Sequence, residues 1–115
     1  MKIREKNEPL QKLIGDLLRQ ERPVWRALAR DLNRSRRKGF RVNLYRIEKH
    51  GKGKETLVVP GVVLGSGEIK KVRNVAALRF SESAREKLEK AGGRCLTIRE
   101  LLEKNPQGKG VRIMG

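Results

Sequence analysis

Cationic side chains form the densest cluster of chemically active residues in this sequence. From Asn33 to Asn43 the chain reads NRSRRKGFRVN and contains no acidic residue. Cations packed so closely repel one another unless a counter-charge is bound, and arginine, which predominates, can form two parallel hydrogen bonds to one phosphate. A solvated basic loop is the alternative interpretation. We predict instead a phosphate-binding segment that contains Arg34, Arg36, Arg37, Lys38 and Arg41.

Further cations extend this prediction along the chain. Arg46 and Lys49 project outward from a helix expected just after the basic segment, and a second basic patch follows a glycine-rich stretch at Lys70, Lys71 and Arg73. The whole sequence has 29 Lys and Arg against 13 Asp and Glu, a net charge of +16, and most of this excess lies before residue 55. So large an excess predicts a polyanionic partner.

A membrane is the less favoured polyanion. The longest uncharged stretch, Thr56 to Gly67, is too short to span a bilayer and contains Pro60, and the sequence after Met1 does not resemble a signal peptide. No basic amphipathic helix with an aromatic-rich apolar face is evident. We therefore expect an intracellular, soluble protein without membrane contact.

Two loose enzyme signatures need to be weighed. Gly61 to Gly67 matches G-x-x-x-G-x-G and Tyr45 to Lys49 matches Y-x-x-x-K, as in short-chain dehydrogenases, but here they occur in the reverse order. The residues after Gly67 do not predict the long helix on which a pyrophosphate would rest. A small nucleotide-dependent oxidoreductase is thus the least favoured hypothesis, and we predict no enzyme, no cofactor and no small-molecule substrate.

The cysteine and histidine content points the same way. Cys95 is the only cysteine, so no internal disulfide or multi-cysteine zinc site can form, and its apolar surroundings predict a small buried thiol. His50 is the only histidine and is expected to be exposed at a helix end. Neither a metal site nor a catalytic residue is predicted.

The elements that must position the cations can be predicted from periodicity. Leucines repeat at helical spacing after Asn7-Glu8-Pro9, and a second helix follows Arg22-Pro23, with Trp25 as a packing residue. A third helix is expected from Leu44 to His50. The stretch from Leu57 to Phe80 predicts two or three short buried strands, broken first at Pro60-Gly61, then at Gly65-Ser66-Gly67, and resuming at Val72.

Helix caps and turns organise the remainder of the chain. Ser83 with Glu86 is expected to open a helix that runs to Ala91, and Thr97 with Glu100 to open another from Ile98 to Lys104. Residues 111–114 are predicted to form a last strand. The result is a single α/β domain over residues 1–115, with a helical part at 1–33, the basic segment at 34–43 and an α/β core at 44–115.

Aromatic residues help to define the kind of nucleic-acid binder. One Trp, one Tyr and two Phe are too few for a sheet that stacks several bases, and zinc-finger ligands and leucine-zipper heptads are missing from the sequence. The hypothesis that remains is that the protein recognises the shape and backbone of folded RNA.

The order of several short motifs resembles one family, the large-subunit ribosomal protein L-eighteen-e of archaea and eukaryotes, a relative of bacterial L-fifteen. The resemblance covers almost the full length and looks archaeal. The motifs in order are Pro23-Val24-Trp25-Arg26, Arg36-Arg37, Val42-Asn43-Leu44, Val58-Val59-Pro60-Gly61, Val63-Leu64-Gly65-Ser66-Gly67, Val75-Ala76-Ala77-Leu78, Ala91-Gly92-Gly93 and Asn105-Pro106.

The resemblance implies an α/β fold with irregular β-β-α turns and a role in binding and stabilising large-subunit ribosomal RNA in the cytoplasmic ribosome, beside neighbouring ribosomal proteins. It places Arg34 to Arg41 and Arg46 against RNA, and makes Gly61, Gly65 and Gly67 a structural turn that contacts the RNA through its backbone. The alternative is a basic RNA-binding subunit of another ribonucleoprotein.

Overall fold

The computed structural model describes residues 8–33, 40–50 and 55–114, which form an α/β structure with helices on both faces of a sheet. The first two helices precede all the strands, as predicted. In chain order the elements are α1 (Glu8–Arg19), α2 (Pro23–Asn33), β1 (Arg41–Asn43), α3 (Leu44–His50), β2 (Thr56–Leu64), β3 (Asn74–Phe80), α4 (Glu82–Lys90), β4 (Arg94–Thr97), α5 (Ile98–Lys104) and β5 (Val111–Ile113).

The sheet is parallel at every strand pair and has β2 at its centre. One edge of β2 pairs with β3, which in turn pairs with β4. The other edge is divided between two short strands: β5 pairs with the start of β2, and β1 pairs with its end. Parallel strands buried on both faces explain the continuous valine and leucine runs of β2 and β3.

Strand β2 corrects one prediction, because Pro60-Gly61 does not end it. The strand continues to Leu64, and the pairing with β3 shifts register between Val59 and Val62. Proline has no N–H to donate to a ladder, which explains an irregularity at this point. A Cβ on Gly61 would overlap the Phe40 carbonyl group, whose oxygen accepts a hydrogen bond from the Val62 N–H at 2.8 Å.

Two hydrophobic clusters lie on opposite faces of the sheet. Alternate residues of β2 divide between them, with Val58 on one face and Leu57, Val59 and Val63 on the other. The first cluster holds the apolar side chains of α1, α2 and α5, including fully buried Trp25. The second holds those of α3 and α4. Within the described ranges, no helix is long and apolar enough to cross a lipid bilayer.

Several local predictions are confirmed. Helix α3 has the predicted bounds, and α5 begins with the predicted capping box, in which the Thr97 hydroxyl accepts from the Glu100 N–H while the Glu100 carboxylate accepts from the Thr97 N–H. Trp25 is a packing residue, and its indole N–H donates to the Pro106 carbonyl at 2.7 Å. His50 is exposed at the end of α3, as expected.

Other local predictions are wrong. The α4 cap is Ser81, whose hydroxyl accepts from the Ala84 N–H, so the Ser83 and Glu86 box does not form. Strand β3 begins at Asn74, and Val72 is 57% exposed in the preceding loop. Cys95 is half-buried, not fully buried as predicted, and burial raises the pKa of its thiol.

Candidate nucleic-acid interface

The connection from β2 to β3 contains no helix, although a parallel crossover usually does. Residues 65–73, here called the crossover loop, join the carboxyl end of β2 to the amino end of β3. The hydrogen bonds and close approaches described below attach this loop to α3 on one side and to α4 on the other. It therefore takes the place of a crossover helix.

The first part of the crossover loop, next to the end of β2, is held by hydrogen bonds that its carbonyl oxygens accept. The Ser66 oxygen accepts from the Tyr45 N–H at 3.1 Å, and the Lys87 ammonium on α4 donates to the oxygens of Gly65 at 2.7 Å and Gly67 at 3.0 Å. A Cβ on Gly65 would overlap the Ser83 side chain. Gly67 has a φ of +105° and its backbone lies against Tyr45, so both positions require glycine.

The second part of the crossover loop, next to the start of β3, is held by one carboxylate on α3. A Glu48 oxygen accepts from the Lys70 N–H at 2.6 Å and weakly from the Lys71 N–H at 3.4 Å. The other carboxylate oxygen pairs with the Arg73 guanidinium at 2.9 Å, and the Arg73 side chain is only 7% exposed. Burial of Glu48 favours a raised pKa, but the hydrogen bonds from Lys70, Arg73 and Lys71 outweigh it, so the Glu48 pKa lies below its ordinary value.

Outward-facing cations lie beside this anchored loop. Lys70 and Lys71 are exposed, as is Lys49 on the adjoining helix, and none of the three forms an ion pair with any carboxylate that the structure describes. Glu48 brings them together, because it neighbours Lys49 in α3 and binds the backbone of the two loop lysines. We call Lys49, Lys70 and Lys71, with Tyr45 on the same helix, the crossover surface.

The structure places Arg41 and Arg46 apart from this surface. Arg41 is exposed at the start of β1, but Val42 faces the α3 layer, so strand alternation directs Arg41 toward the opposite face of the sheet. Arg46 is half-buried and lines a cavity of about 210 Å³ with His50 and Arg112. Arg34, Arg36, Arg37 and Lys38 lie outside the described residues.

Arg73 is used inside the protein. Its guanidinium donates to the Glu48 carboxylate and also, at 3.2 Å, to the Glu48 carbonyl oxygen. Its side chain is buried, so these groups, and not solvent, surround it. A guanidinium in this setting supports the crossover loop from beneath and is not presented to a ligand.

Sequence reasoning missed the part played by Glu48. The signal was available, because Glu48 is the only acidic residue between Asp31 and Glu55, within a strongly basic stretch. An isolated carboxylate in such a stretch favours an internal partner. Arg112 was missed as well: it donates to Glu55 at 3.1 Å and to the His50 carbonyl at 3.2 Å, and so connects β5 to the end of α3.

The dehydrogenase-like glycine pattern does not have the structural context that its chemistry needs. Gly61 lies inside β2, and Gly65 and Gly67 belong to the crossover loop, which leads into β3 and not into a helix. The glycines therefore do not lead into a helix whose N-terminus could hold a pyrophosphate. Among the described residues, no three His, Cys, Asp or Glu side chains are grouped so as to hold a metal ion.

Comparison with known proteins identifies the family. A family model described as "Ribosomal protein 60S L18 and 50S L18e" matches residues 10–115. The chain belongs to this family. It is 49% identical to the large ribosomal subunit protein eL18 of Archaeoglobus fulgidus, over 97% of this chain and 99% of that relative.

Two further archaeal relatives support the assignment to the L18/L18e family. The chain is 48% identical to the eL18 protein of Methanopyrus kandleri, over 94% of this chain and 92% of the relative. It is 40% identical to the eL18 protein of Sulfurisphaera tokodaii, over 94% of this chain and 92% of that relative. The resemblance inferred from short motifs is confirmed, and matches of this extent cover all the described elements from Leu10 onward.

Proposed function

We propose that this protein is a structural constituent of the large ribosomal subunit, located on the cytoplasmic ribosome, that binds folded ribosomal RNA through a basic surface and stabilises its assembled form. Its L18/L18e relatives carry the name of a large ribosomal subunit protein. The net charge of +16 supplies the attraction that a phosphate backbone requires. Ribosomal RNA and neighbouring ribosomal proteins are the proposed partners, and no catalysis is proposed.

The crossover surface is the observation that supports RNA binding best. Three exposed lysines, which form no ion pair with a carboxylate in the described part of the chain, lie on a loop and a helix that are joined by hydrogen bonds at both ends. A surface fixed before binding loses little conformational entropy when phosphates dock on it. We propose that Lys49, Lys70 and Lys71 contact phosphates directly and that Arg73 supports them from beneath.

The basic segment is proposed as a second contact region. Arg34, Arg36, Arg37 and Lys38 precede β1, and Arg41 and Arg46 continue the cationic sequence along β1 and α3. Because Arg41 and the crossover surface face opposite sides of the sheet, we propose that RNA contacts the protein on more than one side. We propose no direct RNA contact for Gly61, which is buried in β2, whereas Gly65 and Gly67 lie in the loop itself.

Sedimentation of a cell extract tests the ribosomal assignment. On sucrose gradients in moderate and high salt, the protein is expected to travel with the large subunit and to leave it only in high salt, since phosphate contacts weaken as salt rises. A protein that remains at the top of the gradient in both salts would instead favour the alternative, a basic RNA-binding subunit of another ribonucleoprotein.

The salt dependence of binding to protein-free large-subunit ribosomal RNA tests the residues. Each phosphate contact contributes a slope of roughly 0.7 to 0.9 in log affinity against log salt. The double variant Lys70→Gln/Lys71→Gln is expected to bind less tightly and to have a flatter slope, as is Arg36→Ala/Arg37→Ala. The control Lys12→Gln/Lys104→Gln removes two exposed lysines that are not proposed contacts, and it is expected to keep the slope of the unchanged protein. Equal slopes for all variants would remove both regions from the interface.

A further inference from the structure

Tyr45 is the one aromatic side chain of the four in this protein that is exposed. It is 55% exposed, whereas Trp25 is fully buried and Phe40 and Phe80 pack against the cluster beneath α3 and α4. An isolated exposed apolar side chain needs no explanation by itself. Its surroundings, however, are those of a preformed binding site.

The backbone beneath the Tyr45 ring is held in place. Its N–H donates to the Ser66 oxygen of the crossover loop at 3.1 Å. The backbone of Gly67 lies against the Tyr45 main chain and Cβ, so closely that a Cβ on Gly67 would come within 2.6 Å of the Tyr45 nitrogen. The ring is thus carried by a fixed helix residue, and little backbone freedom remains to be lost when it binds a partner.

Cations belong to the same surface as this ring. Lys49 is one helical turn from Tyr45 at i+4, on the same face of α3, and Glu48 at i+3 holds the backbone of Lys70 and Lys71. The Tyr45 and Lys49 pair is the same Y-x-x-x-K pattern that has no dehydrogenase context here. An aromatic ring next to cations on a fixed surface has the two components that bind an unpaired nucleotide, a stacking platform and charges for its phosphates.

We propose that Tyr45 stacks on an unpaired base of the bound RNA while Lys49, Lys70 and Lys71 neutralise the adjacent phosphates. This inference rests on the proposed RNA-binding function. It adds a single-nucleotide subsite to what is otherwise recognition of backbone and shape. One ring and its lysines suffice for one base, which agrees with the scarcity of aromatic residues elsewhere in the chain.

Affinity measurements on three Tyr45 variants test the subsite, with protein-free large-subunit ribosomal RNA as the probe. Loss of one stacked base lowers affinity about 5- to 150-fold. Tyr45→Ala and Tyr45→Leu are expected to show such a loss without a change in salt slope, because the ring carries no charge. Tyr45→Phe keeps the ring and is expected to bind like the unchanged protein. Thermal unfolding of each variant checks that the fold is retained.

Chemical probing of the same RNA gives a second readout. The unchanged protein and Tyr45→Phe are expected to protect one unpaired base from modification, and Tyr45→Leu is expected to leave it reactive. Tyr45→Leu binding and protecting as well as the unchanged protein would overturn the subsite. So would variants that all bind free RNA equally while only Tyr45→Ala fails to join the subunit, since that would assign the ring to a protein contact.

These outcomes separate the subsite from the proposed function. If the Lys70→Gln/Lys71→Gln variant flattens the salt slope and every Tyr45 variant binds normally, the stacking subsite is wrong and RNA binding stands. If the unchanged protein binds the RNA no better than a neutral control protein, both proposals are wrong.

Discussion

Individual side chains in this protein have tasks that their residue types alone do not reveal. Lys70, Lys71 and Arg73 are nearly consecutive cations, yet two are exposed while the third is buried against Glu48. Val72 between them is exposed instead. The sequence shows that cations are present, but which of them faces inward depends on where the loop meets α3, and that contact is tertiary.

Glu48→Gln is expected to destabilise the fold by about 1 to 3 kcal/mol, because it removes a charged acceptor from the buried Arg73 guanidinium and weakens the bond to the Lys70 N–H. Urea unfolding at pH 7 measures this loss. Glu68→Gln, an exposed carboxylate in the same loop, is the control and is expected to change stability by less than about 0.5 kcal/mol.

The same variant has a defined pH dependence. The Glu48 pKa is lowered in the folded state, so its contribution is fully present above its ordinary value of 4.5 and is lost as pH falls through the lower folded value. The stability difference between the unchanged protein and Glu48→Gln is therefore expected to shrink below about pH 4.5. A difference that stays constant down to the acid transition would contradict this assignment of the carboxylate.

At the scale of elements, local signals predicted the helices better than the strands. The Thr97 and Glu100 box and the apolar repeats of α1 and α2 are encoded within a few residues, and the structure has them as predicted. Pro60-Gly61 is a strong breaking signal, yet β2 runs through it because neighbouring strands hold both sides. Ser81 prevails over Ser83 as the α4 cap, although only Ser83 has a glutamate, Glu86, at the capping-box spacing.

The crossover loop depends on glycine at position 67, and this can be measured. Gly67→Ala is expected to cost at least about 2 kcal/mol, because a positive φ is unfavourable for alanine and the new Cβ also overlaps Tyr45. Gly110→Ala is the matched control: its φ is +72° but nothing lies within 4 Å, so only the conformational penalty of about 1 kcal/mol is expected. Equal losses in thermal or urea unfolding would show that the contact with α3 does not constrain the loop.

At the scale of the whole molecule, the periodicity of the apolar residues predicted the α/β class, but not the strand order. Sheet order depends on which distant segments meet, and here the last strand pairs with the start of β2, more than fifty residues earlier in the chain. No periodicity within one segment encodes this pairing.

An ion-pair cluster joins α1 to α5 within the helical layer on one face of the sheet. Asp16 on α1 accepts from Arg99 of α5 and from Arg19, both at 2.7 Å, and the hydrogen bond from Arg99 is the main cause of its lowered pKa. Arg99→Gln is expected to cost about 0.5 to 1 kcal/mol in urea unfolding. Arg19 is 78% exposed, so Arg19→Gln is expected to cost less. The reverse order would mean that the link between α1 and α5 contributes little.

The division of one β2 edge between β1 and β5 has a consequence for the order in which the sheet can form during synthesis. Ribosomes synthesise β1 well before β5, so a growing chain that already contains β2 has only the β1 half of that edge available for pairing. The Met114 N–H bond to the Val58 oxygen, at 2.8 Å, forms only when β5 and the residue that follows it are available. Until then Val58 lacks that backbone partner, so the sheet cannot be complete before β5 has left the ribosome.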